Sequence, residues 1–155
     1  MSRKCCYLYL GHSELYTLRM RKAAAYPIKI FYDGSCVVCS TEMEHYREKD
    51  LSGNLIFIDI TAPDFRPKTY GLEMHGKSRE ELMRRLHVLD SEGQHYTGAD
   101  GFPPIWRGLP PKSAYLLLAW LIEMPLVNQI AKAGYFIFAR LRRFLPKRRK
   151  CRICS

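Results

Sequence analysis

The sequence predicts an α/β fold in which a central mixed sheet is flanked by helices. Ile28–Tyr32 and residues 55–60 are short runs of β-branched, aromatic and other apolar residues, the composition of strands. The run at 55–60 is nearly continuous, so we expect that strand to be buried on both faces. Residues 36–50, which lie between them, change to the longer apolar period of a helix. Two strands joined through a helix form a parallel β–α–β unit, and a later hairpin pattern adds antiparallel strands.

The size and charge of the chain indicate one domain with appendages. The 155 residues, 47% of them hydrophobic, suffice for one core and are too few for two. We expect a poorly ordered N-terminal extension (1–26), an α/β core (27–112), a helical hairpin packed on it (113–145) and a basic tail (146–155). The formal charge of +10 comes from the chain ends, with eight Lys or Arg and no acid in 140–152. The body is nearly neutral, so no specific nucleic-acid partner is expected.

A pair of cysteines opens the first predicted helix. The strand at Ile28–Tyr32 is followed by the turn residues 33–35 and then by Cys36-Val37-Val38-Cys39. The buried stripe expected from helical spacing is Cys36, Cys39, Met43 and Tyr46. A thiol in the first turn of a helix lies near free backbone N–H groups and the positive end of the helix dipole, which favour the reactive thiolate.

The middle of the chain predicts several short elements. Residues 64–70 read as a short helix, and Ser78 with Glu81 has the spacing of a capping box that starts another. Residues 86–97 read as strand, turn and strand, a hairpin. The proline pair at 103–104 is expected to confine any regular helix to the residues after it.

The last third of the chain predicts two helices. Residues 115–122 are apolar on every side, and Pro125 separates them from a second helical pattern. The apolar face of that second pattern is Leu126, Ile130, Ala133, Ile137, Leu141 and Phe144. The uninterrupted apolar stretch is shorter than the ~20 residues that cross a bilayer, so we expect a buried hairpin that covers the sheet.

This order of elements is that of a thioredoxin-like fold, and the dithiol lies where that fold places its redox pair. Residues 33–39, Asp-Gly-Ser-Cys-Val-Val-Cys, resemble the Asp-x-x-Cys-x-x-Cys signature of the DCC family of predicted thiol–disulfide oxidoreductases. Residues 98–100, Gly-Ala-Asp, and the later Tyr135-x-x-x-Ala139-Arg140 are also similar to that family. The resemblance covers residues 27–145 and makes residues 27–112 the thioredoxin-like core.

The resemblance implies a protein-disulfide reductase or related oxidoreductase, and the helix position assigns the roles. Cys36, expected to be the more exposed thiol, is the nucleophile that forms a mixed disulfide, and Cys39, one turn deeper, resolves it. Asp33 either caps the turn or transfers a proton as Cys39 reacts, and the two roles stay open. The expected partners are a disulfide-containing protein or small thiol compound and an upstream dithiol reductant. No metal, flavin or nucleotide cofactor is implied.

The alternative to an oxidoreductase is a binding module without redox activity. Such a module would be stabilised by zinc or would bind to a membrane surface. Cys151 and Cys154 form a second Cys-x-x-Cys. With Cys36 and Cys39 they would make a four-thiolate zinc site; alternatively they pass electrons to the first pair or are incidental. The basic tail also predicts weak contact with an anionic membrane. Because the six cysteines fall in close pairs, unlike a secreted scaffold, a reducing cytoplasmic compartment is expected.

Overall fold

The computed structural model describes residues 23–70, 78–111 and 114–147. Its four strands are β1 (Ile28–Tyr32), β2 (Leu55–Asp59), β3 (His87–Leu89) and β4 (His95–Thr97). They form one sheet in the order β2-β1-β3-β4, in which β2 is parallel to β1 while β1, β3 and β4 pair antiparallel in turn. The mixed sheet with flanking helices confirms the predicted α/β, thioredoxin-like fold.

Helices account for most of the remaining described chain. The α-helices are α1 (Val37–Lys49), α2 (Arg79–Leu82), α3 (Phe102–Gly108), α4 (Tyr115–Glu123) and α5 (Pro125–Leu141). Short 3₁₀ turns occupy Pro67–Tyr70, Gly98–Gly101 and Arg142–Phe144. The capping box is present, with Ser78 and Glu81 bonded reciprocally at the start of α2. The predicted hairpin is present as β3 and β4.

Apolar side chains cover β1 on both faces. The cluster on one face contains Ile28, Ile30, Met43, Tyr46, Leu55, Leu86, Val88, Ile105 and Leu109. The cluster on the other face contains Phe31, Ile58, Ile60, Phe65, Leu82 and Leu89. Because alternate residues of a strand point to opposite faces, β1 contributes to both clusters and is the best-fixed element of the sheet. The cysteine-bearing turn begins at its carboxyl end.

Two details of the prediction are wrong for physical reasons. Residues 55–60 were expected to be buried on both faces, but β2 is an edge strand that ends at Asp59, and Ile56 is 41% exposed. The helix expected only after the proline pair begins at Phe102 and contains both prolines in its first turn. First-turn residues have no intrahelical acceptor for their N–H, so proline is tolerated there.

The C-terminal helices are found where predicted, but α5 faces the opposite way. Its predicted inward face is exposed, to 81% at Leu126 and 72% at Ile130. The face that packs inward meets the turn Gly98–Gly101 instead of the apolar sheet. There Asn128 Nδ2 donates to Asp100 Oδ1 at 3.1 Å, and Lys132 Nζ lies 3.0 Å from Asp100 Oδ2. Because Asp100 is polar, the polar face of α5 packs against it. The apolar face of α5 therefore does not cover the sheet.

The chain ends can be followed as far as the described residues reach. Ala25 and Tyr26, placed by the sequence in the extension, are bonded to the core: Ser91 N donates to Ala25 O at 3.0 Å, and Tyr26 Oη donates to Pro104 O at 2.7 Å. The rest of the extension lies outside the described residues, as do Cys151 and Cys154 of the tail.

The reversed orientation of α5 predicts which substitutions cost stability. Replacing Asn128, which is buried and also donates to Ile122 O, with alanine should lower the free energy of unfolding by about 1–2 kcal/mol because two buried hydrogen bonds are lost. The exposed Ile130→Gln should change it by less than about 0.5 kcal/mol. Urea unfolding of both variants measures this, and the opposite ranking would contradict the orientation of α5.

Candidate active site

The turn between β1 and α1 is closed by the carboxylate of Asp33. Asp33 Oδ1 accepts from Ser35 N at 3.0 Å and from Ser35 Oγ at 2.6 Å, while Asp33 O accepts from Cys36 N at 3.2 Å. This is the short-range turn that aspartate forms with its own following backbone. Of the two roles expected for Asp33, capping is the one its contacts carry out, and proton transfer stays a prediction.

Gly34 anchors the same turn to the end of β2. Gly34 N donates to Asp59 Oδ1 at 3.1 Å, and a Cβ added to Gly34 would lie 2.3 Å from Asp59 Oδ2. Only glycine therefore allows the carboxylate to approach so closely. Asp59 was not among the site residues predicted from the sequence. Its signal is a carboxylate that interrupts an apolar run at the carboxyl end of a parallel strand, beside the dithiol turn.

Cys36 is the N-cap residue of α1. Its backbone is extended, the helix begins at Val37, and Cys36 Sγ accepts a hydrogen bond from Cys39 N at 3.4 Å. A serine or aspartate oxygen normally occupies this position and satisfies one of the free N–H groups of the first turn. The helix thus begins within one residue of the predicted start. Cys36 Sγ accepts a hydrogen bond from a backbone N–H group of the first turn, as expected for a sulfur at this position.

The exposure of the two thiols is the reverse of the prediction. Cys36 is 5% exposed, whereas Cys39 is only half-buried. The reason lies at the far end of the described chain, where Lys147 pairs with Cys36 in an isolated antiparallel bridge and so covers the start of α1. Cys36 nevertheless forms part of the wall of a cleft of about 920 Å³. A substrate would reach it through that cleft.

Cys39 has the properties of a thiol that stays protonated. Burial, and after it a hydrogen bond with the Cys36 side chain, raise the pKa of Cys39 to about 12, while Arg142 acts in the opposite direction. Both cysteines are free thiols. The two side chains lie in contact, and burial favours the protonated form of the Cys39 thiol.

Arg142 is a site residue, although in the sequence it is only one of the eight cations of residues 140–152. It is buried, its Nη1 lies 3.5 Å from Cys39 Sγ, and its Nη2 donates to Met83 O. The signal was present in the spacing of Asn128, Tyr135 and Arg142, which share the inward face of α5 and of the turn after it. A guanidinium held against a sulfur stabilises the thiolate when it forms.

The residues similar to the DCC family meet in the wall of the cleft. Tyr135 Oη accepts from Leu86 N at 2.7 Å. Its ring would lie 3.2 Å from a Cβ at Gly98, whose φ of +59° also favours glycine. Burial raises the pKa of Tyr135, so its hydroxyl remains neutral. Two motifs far apart in sequence thus form one packed surface beside Cys36.

Metal binding is limited by the donors present. Within residues 23–70, 78–111 and 114–147, no group of three or more His, Cys, Asp or Glu side chains is arranged to hold a metal ion. A zinc centre on Cys36 and Cys39 would have to draw further ligands from elsewhere in the chain.

Adjacent thiols at the start of the helix that follows a central parallel strand, beside a cleft, define a thioredoxin-like redox protein. The chain belongs to the DCC1-like thiol-disulfide oxidoreductase family, whose model matches residues 30–148. It is also similar to an uncharacterised chloroplastic protein of Arabidopsis thaliana, At5g50100, with 23% identity over 122 residues, which cover 78% of this chain and 53% of that protein. The chain therefore spans about half the length of this curated relative. No solved structure matches the chain.

The contact between Arg142 and Cys39 predicts a shift in pH dependence. Since Arg142 lowers the pKa of Cys39, replacing it with methionine should raise that pKa further, so Cys39 alkylation should require more alkaline solution. Arg142→Lys, which keeps the charge, should restore part of the profile, and Arg143→Met, at the exposed neighbour, should leave it unchanged. Site-resolved mass spectrometry of alkylated protein measures the profile. Identical profiles for Arg142→Met and Arg143→Met would contradict the role of Arg142.

Proposed function

We propose that the chain catalyses thiol–disulfide exchange, with Cys36 as the nucleophile and Cys39 as the resolving thiol. The observation that carries this assignment is the asymmetry of the pair. Cys36 Sγ receives the N–H of Cys39 at the start of α1, while burial raises the pKa of Cys39 to about 12. One sulfur is placed to react as an anion, and the other is held as a neutral thiol until a mixed disulfide exists.

The exchange can be written as two displacements. The Cys36 thiolate attacks one sulfur of the substrate disulfide, the substrate S–S bond breaks, and the departing thiolate takes up a proton. Cys39 then loses its proton and attacks Cys36 Sγ, which breaks the mixed disulfide and releases the second substrate thiol. Two electrons and two protons pass from the dithiol to the substrate, and the protein is left with a Cys36–Cys39 disulfide. The reverse sequence oxidises a substrate dithiol.

The raised pKa of Cys39 requires help in the second displacement. Arg142 supplies a positive charge 3.5 Å from the sulfur as the negative charge develops. We propose that Asp33 accepts the proton that Cys39 loses. Ser35 holds Oδ1 of Asp33, so the second carboxylate oxygen, Oδ2, is the proposed acceptor. Asp33 and Cys36 line the same cleft.

The substrate in this proposal is a disulfide in a protein or a small thiol compound, and a dithiol reductant restores the reduced pair. A reducing compartment such as the cytoplasm suits a protein that works as a reductase. The family supports a general thiol–disulfide role, and these finer assignments are our proposal.

Cysteine variants of the full chain test the proposal. Under anaerobic conditions Cys36→Ser should lower the rate of disulfide reduction by about 10³-fold or more, because no nucleophile remains. Cys39→Ser should instead accumulate a mixed disulfide on Cys36, detected by intact-mass spectrometry. The control is Cys151→Ser/Cys154→Ser, which should retain the exchange.

Two results would contradict the assignment. One is full activity in Cys36→Ser. The other is stoichiometric zinc in anaerobically purified protein whose Cys36 and Cys39 are both protected from alkylation, since a metal on both thiolates leaves neither free to attack.

A further inference from the structure

We propose that the disulfide substrate carries negative charge, in the form of carboxylates close to the bond that is exchanged. This inference rests on the proposed function, in which Cys36 attacks the substrate from the cleft of about 920 Å³. It names a substrate class for that site.

The cleft is lined by an excess of cations drawn from separate parts of the chain. Its basic lining residues are Arg84, Arg85, Lys132, Arg140, Arg142, Arg143 and Lys147. Asp33 and Asp100 are the carboxylates among its described lining residues. Since these cations come from α5, the turn and segment after it, and the segment after α2, the fold gathers them at Cys36.

Some of this charge is already engaged. Lys132 is paired with Asp100 at 3.0 Å, and Arg142 is held by Met83 O and Cys39. The exposed cations Arg84, Arg85, Arg140, Arg143 and Lys147 have no ion pair with a carboxylate in the described part of the chain. The guanidinium groups of Arg140 and Arg143 lie over aromatic rings, 5.4 and 4.9 Å from the ring centroids, which leaves their N–H groups available.

A cleft lined by one sign of charge concentrates ligands of the other sign and accelerates their encounter. The planar guanidinium group of arginine also matches the geometry of a carboxylate, which it binds with two parallel hydrogen bonds. The same cations stabilise the thiolate that leaves when Cys36 attacks. A volume near 920 Å³ suits a small molecule or a short peptide segment.

Three small disulfides of different charge test the proposal on the reduced full chain. Oxidised glutathione is anionic, 2-hydroxyethyl disulfide is neutral and cystamine is cationic. Rates of Cys36 oxidation, each divided by the rate of the same disulfide with dithiothreitol, should fall in that order, by about tenfold or more between the extremes. Added salt should narrow the difference. Two cystine-bridged peptides, with Glu or with Lys beside the cystine, extend the comparison to protein-like substrates.

Charge-reversal variants locate the effect. Arg84→Glu/Arg140→Glu should abolish the preference for oxidised glutathione and raise the rate with cystamine. Lys49→Glu/Lys68→Glu is the matched control, because it changes the net charge equally at exposed residues outside the cleft lining. Equal normalised rates for the three disulfides, or equal effects of the two double variants, would overturn the anionic substrate while leaving the exchange chemistry intact. Failure to react with any disulfide would instead overturn the proposed function.

The outer surface of α4 and α5 carries a second, independent proposal. Its exposed large apolar side chains are Leu116, Leu117, Leu118, Trp120, Leu126, Val127, Ile130, Ile137, Leu141 and, just beyond α5, Phe144. An apolar surface of this extent is unusual for a protein surrounded by water and marks an interaction site. We infer that this surface, which we call the outer apolar face, binds an anionic membrane.

The charge beside the outer apolar face selects the membrane as its occupant. Residues 140–152, which begin in the last turn of α5, contain eight Lys or Arg and no acid. An apolar helix face next to basic residues is the combination that lies in the interface of an anionic bilayer. Trp120 on the same surface is a side chain favoured at that depth.

The geometry of α4 and α5 favours lying in one leaflet. Among the described residues no single helix is both long and apolar enough to cross a membrane. Tyr115–Glu123 and Pro125–Phe144 satisfy length and composition only as a pair, with a bend of 100° between them. Each helix can then rest its apolar face in the bilayer surface.

Flotation of the full chain with lipid vesicles tests this proposal. The chain should float with vesicles that contain phosphatidylglycerol, and less with pure phosphatidylcholine. Leu126→Gln/Ile130→Gln/Ile137→Gln should reduce binding by about tenfold or more, since three apolar side chains no longer transfer from water. Leu51→Gln/Ile56→Gln, exposed apolar residues away from these helices, should not reduce it.

Two outcomes would overturn the membrane proposal. One is absence of binding to both kinds of vesicle. The other is a dimer in analytical ultracentrifugation that the triple variant dissociates, because the outer apolar face would then be an interface between two copies of the chain.

Discussion

The hydrogen bond from Cys39 N to Cys36 Sγ is the interaction on which the active site depends, because it sets a sulfur at the free N–H groups of α1. That placement requires a fixed turn, and the turn is fixed from three sides. β1 is covered on both faces, Gly34 admits the carboxylate of Asp59, and Lys147 pairs with Cys36 from the far end of the described chain. The thiol is thus preorganised by the sheet before any substrate arrives.

The site is completed by residues that a minimal β–α–β unit does not contain. Arg142 lies 103 positions from Cys39 in sequence, and Tyr135 lies 49 from Leu86, yet both pairs are in contact. α5 and the turn after it therefore form part of the cleft wall through their inner, polar face. The opposite face of α5 is apolar and exposed, so one helix separates the cleft from an apolar surface.

Local patterns were sufficient to predict the elements, and they failed where a distant neighbour decides. The strands, the hairpin, the capping box of Ser78 and the start of α1 follow from residues close in sequence. Periodicity showed that α5 has an apolar face but not which face packs inward. The polar face packs inward because it contacts Asp100. The order of exposure of the two thiols and the role of Arg142 depend on contacts across the whole chain, which no short motif encodes.

The bridge between Lys147 and Cys36 has a practical consequence for anyone who works with this protein. A purification tag or fusion partner joined downstream of Lys147 would be tethered at the mouth of the redox cleft, where its local concentration around the thiols is high. A histidine tag there would bring imidazoles and column metal close to two cysteines, and thiolates are soft ligands for such metals. Ala25, in contrast, precedes β1 and is held by Ser91 at the end of that strand opposite the cysteine turn.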